Sequence, residues 1–105
     1  MRYKVVVSGP AANDLEQITA YIATQLHNRK AAADFLDKID RQTDGLRNNP
    51  RLYGLSKNSR LAEKGYHKMP IVGTRYLVIY RINDAEKKVI ILRVFYVQRN
   101  YEALL

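Results

Sequence analysis

Cysteine is missing from the 105 residues, and so is tryptophan. Without thiols the chain has no disulfide framework and none of the common cysteine-based zinc sites, a usage that agrees with a reducing compartment. Five glycines and three prolines are too few and too scattered to make a linker or a repeat. No apolar run approaches the roughly 18 to 20 residues that span a bilayer, and the opening MRYKVVVSGP is too short and too interrupted for a signal peptide. The expectation is a cytoplasmic chain with no membrane partner, no metal and no cofactor, folded as one domain over residues 1–105 with a single modest core.

Acid is the other shortage. Ten Asp/Glu stand against eighteen Lys/Arg, for a formal net charge of +8. The imbalance is local: residues 1–50 hold seven cations against six acids, and residues 51–105 hold eleven against four, together with six of the eight tyrosines. Cations interleaved with aromatics suit a polyanion whose bases stack, and Lys57, Arg60, Lys64, Lys68 and Arg93 are the candidate RNA-binding residues. A solvated basic surface is the plain alternative.

What is present reads as strand, two helices, then strands. Tyr3 to Val7 is short and β-branched, and Ser8-Gly9-Pro10 stops it while starting a helix with Asp14 and Glu16 early, where the dipole favours acid. Leu15, Ile18, Ile22 and Leu26 form one apolar stripe on a helix of roughly 10–26, which His27-Asn28 breaks. A second helix is expected from about Arg29 to Asn48. Ala32, Phe35, Leu36, Ile39, Thr43 and Leu46 lie on one side of it, and Asn49-Pro50 ends it. So short a connection makes an antiparallel hairpin, whose apolar face needs a sheet.

After a polar, basic loop from Pro50 to Gly65, three strands follow at Tyr66–Ile71, Arg75–Ile82 and Lys88–Val97. Turns at Val72-Gly73 and Asn83 to Glu86 join them into a meander. In the last strand the parity of Ile90, Leu92, Val94 and Tyr96 carries no charge, so it is expected to meet the helices, leaving Arg93 near Arg75 or Arg81 on the other face. The fold class is α+β, an antiparallel helix hairpin on one face of an antiparallel sheet in the order β-α-α-β-β-β. Tyr76 and Tyr80 share a parity and read as packing residues, and His67 as incidental.

The stretches LAEKGYHKMPIVGTRYLVIYRI and VIILRVFYVQRNYEALL, in that order of elements, resemble the RelE/ParE superfamily of type II toxins over nearly the whole chain. The most specific pieces are Tyr76 to Tyr80 and the ending in which a hydrophobic strand runs into Tyr96, then Arg99-Asn100, then Tyr101 and a Leu-rich tail. The resemblance implies a toxin neutralised by a cognate antitoxin. Many members cleave mRNA at the ribosome, while the ParE branch poisons DNA gyrase. An mRNA interferase is the expected activity, with gyrase inhibition, or a non-toxic antitoxin-binding module, as alternatives.

Cleavage by the RNA's own 2′-hydroxyl needs a base, an acid, and cations for the phosphate. Tyr96 and Arg99 match positions the ribonuclease members use, and Arg75 is the candidate stand-in for an arginine missing from Tyr76-Leu77-Val78-Ile79-Tyr80. In the tail, Tyr101, Leu104 and Leu105 are expected to meet the antitoxin, the alternative being that they pack on the chain's own core.

Overall fold

The structure, a computed structural model, describes residues 2–105. β1 (Lys4–Val7) leads into α1 (Gly9–Thr24) and α2 (Arg29–Gly45). A short α3 (Ser59–Glu63) precedes β2 (His67–Pro70), β3 (Tyr76–Asn83) and β4 (Lys88–Tyr96), and a 3-10 turn at Tyr101–Leu104 closes the fold. The expected α+β order is present, and among the described residues no helix is long and apolar enough to cross a membrane.

The helix ends follow from side chains that replace missing backbone partners. The Ser8 hydroxyl accepts from the Ala11 amide at 3.2 Å, and Asn28 and Asn58 do the same for Ala31 and Leu61. Between the first two helices His27 takes φ 50, which lets the hairpin reverse.

The sheet runs β1-β4-β3-β2, with β2–β3 and β3–β4 antiparallel as expected. β1 joins parallel to β4, Lys4 beside Lys88 and Val7 beside Ile91, so the sheet is mixed rather than wholly antiparallel. α1 and α2 cover one face. Phe35, Ile39 and Leu46 pack there on Met69, Val78, Tyr80, Val89, Ile91 and Val94. On the opposite face Leu77, Ile79 and Phe95 are covered by Tyr101, with Tyr66, Leu92 and Leu105 around them.

One parity does not describe β4. Leu77 pairs with Phe95, Val78 with Val94 and Ile79 with Arg93, but Tyr80 then pairs with Ile91, leaving Leu92 as the extra residue of a bulge. Val94 and Tyr96 lie on the helix side as expected, whereas before the bulge it is Val89 and Ile91 that are sealed beneath the helices, not Ile90 and Leu92. Arg93 accordingly stands opposite Ile79, not beside Arg75 or Arg81. Two further differences concern the helices: the stretch read as a basic loop contains α3, and Leu26 and Leu36, assigned to apolar stripes, are 56% and 40% exposed.

Candidate functional site

The ladder of β3 and β4 ends in the pair Tyr76–Tyr96, whose rings meet edge to face at 5.4 Å. Phe35 from α2 meets Tyr76 in the same manner at 5.2 Å. Tyr21 comes from α1 and Arg75 from the β2–β3 turn, where Gly73 supplies the positive φ of 74. Together these residues line a cleft of about 750 Å³ at one end of the helix–sheet interface, with Leu26, Asp34 and Lys38 at its margin. A smaller recess beside it, about 200 Å³, shares Tyr21, Tyr76 and Tyr96 and adds Asp14, Gln17 and Arg99.

Tyr96, Arg99 and Arg75 are thus brought to one region, around Tyr96. The Arg99 amide donates to the Tyr96 carbonyl at 3.1 Å, and the Val97 amide to the Arg75 carbonyl at 2.8 Å. The proton chemistry is less favourable. Burial, then the neighbouring Tyr21 and Tyr96, push the Tyr76 phenol above its ordinary value, away from neutrality.

Asp14 is committed elsewhere. It accepts from Arg93 Nε at 2.7 Å and Nη2 at 2.9 Å and from the Val94 amide at 2.9 Å. Asp34 is paired with Lys30 at 3.0 Å. His67 stacks on Tyr80 at 5.0 Å, with Nδ1 2.8 Å from the Tyr53 carbonyl; Tyr80 is four residues along β3 from Tyr76, about 13 Å at strand rise.

The basic residues expected to bind RNA do not surround this cleft. Arg93 is three-quarters buried in its pair with Asp14, and its guanidinium lies 4.6 Å over the Phe95 ring. Arg60 donates to the Glu102 carbonyl and Lys64 Nζ to the Leu105 carbonyl at 2.7 Å, so both hold the tail. Lys68 lies on β2 opposite Ile79, and Lys57 is exposed before α3. In the tail, Tyr101 is buried and stacked on Phe95 at 5.3 Å, Leu105 packs beside it, and Leu104 is exposed.

Sequence reasoning missed Tyr21 and the commitment of Asp14. The signal for Asp14 was its place four and eight residues before Ile18 and Ile22, which puts a carboxylate on the buried stripe and requires a cation to meet it. Among the described residues no group of three or more metal-ligating side chains converges.

A family model described as the ParE toxin of type II toxin-antitoxin systems, parDE, matches residues 5–101. No curated protein sequence matches. Among solved structures, the chromosomal ParDE system of P. aeruginosa superposes with TM-score 0.74 at 20% identity, over 92% of this chain and 98% of that one. The RelBE2 toxin-antitoxin complex of Mycobacterium tuberculosis gives 0.63 at 23% identity over 91% and 99%. E. coli RelE, as a double arginine-to-alanine mutant in the free state, gives 0.66 at 12% identity over 99% and 93%. At these identities the structures speak to a shared fold.

Proposed function

Because the chain belongs to the ParE toxin family of type II toxin–antitoxin systems, we propose that a cognate antitoxin holds it inactive and that, once released, it inhibits DNA gyrase rather than cutting mRNA. The observation that carries this reading is the cleft around Tyr76 and Tyr96. General acid–base cleavage works best with a group titrating near the operating pH. Here the Tyr76 phenol is pushed up, Asp14 is held by Arg93, and His67 is stacked away on Tyr80.

The family match supports the same choice, since it is the ParE branch that the family model describes. A second reading, ribosome-dependent mRNA cleavage, draws on the gathering of Arg75, Tyr96 and Arg99 around one recessed end of the sheet. Induction in cells separates the two. Gyrase inhibition leaves transcripts whole and produces double-strand breaks with a DNA-damage response, and purified protein blocks supercoiling in vitro. Tyr96→Phe and Arg99→Ala should then leave growth arrest in place. Transcripts cut at the ribosomal A site, with arrest relieved by both variants, would instead establish the interferase; no arrest at all would leave a non-toxic antitoxin-binding module.

A further inference from the structure

The core fixes which way each strand's side chains point. Val5, Met69, Val78, Tyr80, Ile82, Val89 and Ile91 pack toward the helices. Alternation therefore sends Lys4, Lys68, Arg81 and Lys88 to the opposite face. The tail covers that face over Leu77, Ile79 and Phe95; the half-buried Lys68 borders the covered part, and Lys4, Arg81 and Lys88 hold the other end.

The register orders them. Lys4 lies beside Lys88, Lys88 beside Asn83, Arg81 two residues on from Asn83, and Lys68 beside Ile79. At strand spacing and rise, Lys4 and Lys68 stand about 20 Å apart, with Arg81 between. Of the acids beside these cations at the strand ends, Glu86 is 3.6 Å from Lys88 and Asp84 is held by Arg51 and Tyr3, while Glu63 and Glu102 belong to α3 and the tail at the covered end. Among the described residues Lys4, Lys68 and Arg81 have no carboxylate at ion-pair distance.

We propose that this open face of the sheet docks the phosphate backbone of a DNA duplex. Charge complementarity selects a polyanion, and the aromatics select a duplex over a single strand. Single-strand binding stacks bases on exposed rings. On this face Phe95 is covered by Tyr101 and Arg93, and Tyr66 lies beneath Lys64 at 5.8 Å. The exposed rings, Tyr21 and Tyr96, belong to the cleft on the helix side. What remains is an array of cations around the half-buried Val6 and Ile90, without an aromatic stacking platform, which contacts phosphates and reads no base. The inference rests on the gyrase reading for its setting, an enzyme working on duplex DNA, but the binding belongs to this chain alone.

The test is fluorescence anisotropy of the purified protein with a 20-base-pair duplex across a salt series. The expected dissociation constant at physiological salt is on the order of 10⁻⁴ to 10⁻⁶ M, and each phosphate that the protein neutralises steepens the log–log salt slope by about 0.9. The combined variant Lys4→Ala, Lys68→Ala, Arg81→Ala should flatten the slope by about 2 to 3. A charge-matched control on α2, Arg29→Ala, Lys30→Ala, Arg41→Ala, should leave it unchanged. Retention of the slope by Lys4→Arg, Lys68→Arg, Arg81→Lys separates loss of charge from loss of fold.

Equal flattening by the control would overturn the proposal in favour of diffuse net charge. Absence of duplex binding at low salt would overturn it too, as would tighter binding of a single-stranded RNA of equal length that the sheet-face variant weakens more. A supercoiling assay run in parallel keeps the two readings apart. Duplex binding without gyrase inhibition sinks the target and supports the surface; inhibition without duplex affinity does the reverse.

Discussion

Tyr80 is fully enclosed, and its hydroxyl donates to the Pro50 carbonyl at 2.8 Å, tying β3 to the loop after α2. Burial is the main cause that pushes this phenol up to about 12 from an ordinary 10. A proton held more tightly in the folded chain stabilises it fully below pH 10, and that stability is lost as pH rises toward 12. The unfolding free energy from urea titrations should therefore fall between pH 10 and 12 by an amount on the order of 2 to 3 kcal/mol. Tyr80→Phe should remove that part of the pH dependence while costing about 1 to 2 kcal/mol at neutral pH through the unpaired carbonyl. Asp14 makes the complementary case. Asp14→Asn leaves the Arg93 guanidinium, three-quarters buried, without its anion, and urea denaturation should register a loss of about 3 kcal/mol. The packing role of Tyr80 was legible from its parity with Tyr76. The fate of Arg93 was not: the place of Asp14 on the buried stripe calls for a cation, but its partner lies 79 positions away and no local pattern says which one.

Elements with strong periodicity are legible in the sequence, since each stripe of apolar residues can be buried in one way. The differences fall where tertiary contacts decide. β4 reads as one strand with two plausible faces, and the bulge at Leu92 uses both, one on each side of it. The start of α1 explains why the strand tolerates this. β1 stops at Val7, and beyond it the Ser8 hydroxyl donates to the Leu92 carbonyl at 2.9 Å while Asp14 accepts from the Val94 amide, so a helix end takes over from the missing strand. Because Ser8 also caps α1, Ser8→Ala should cost about 1 to 2 kcal/mol, more than a surface hydroxyl, with the urea m-value unchanged. α3 is hidden in the sequence because five residues carry too little period, although Asn58 three places before Leu61 is a cap signal in plain sight.

Across the whole molecule the two faces of the sheet divide chemistry that the composition groups together. Tyr96 and Arg75 look toward the helices, Arg60 and Lys64 secure the tail, and Lys4, Lys68 and Arg81 occupy the remaining open surface. No sequence pattern sorts the cations among these places, because all lie near tyrosines in the chain; only the tertiary register does. In the tail Tyr101 packs on the sheet while Leu104 stays exposed. Tyr101→Ala uncovers Phe95, Leu77 and Ile79 and should lower stability by about 3 kcal/mol, which for a chain of this size is a melting point lower by roughly 12 °C or more. A melting point unchanged by this substitution, with partner binding abolished, would restore the tail to the antitoxin.

The parallel pairing of β1 with β4 has a consequence for synthesis. Ser8 and Leu92 meet across 84 positions, and the strand that begins the sheet waits for the strand that ends it. A pairing of that sequence separation forms late and slowly. While the chain is emerging, Tyr21 is made long before Tyr96, so the cleft they line has no existence on a nascent polypeptide. An incomplete translation product is left with half a cleft and an open sheet edge, material for proteases rather than a poison.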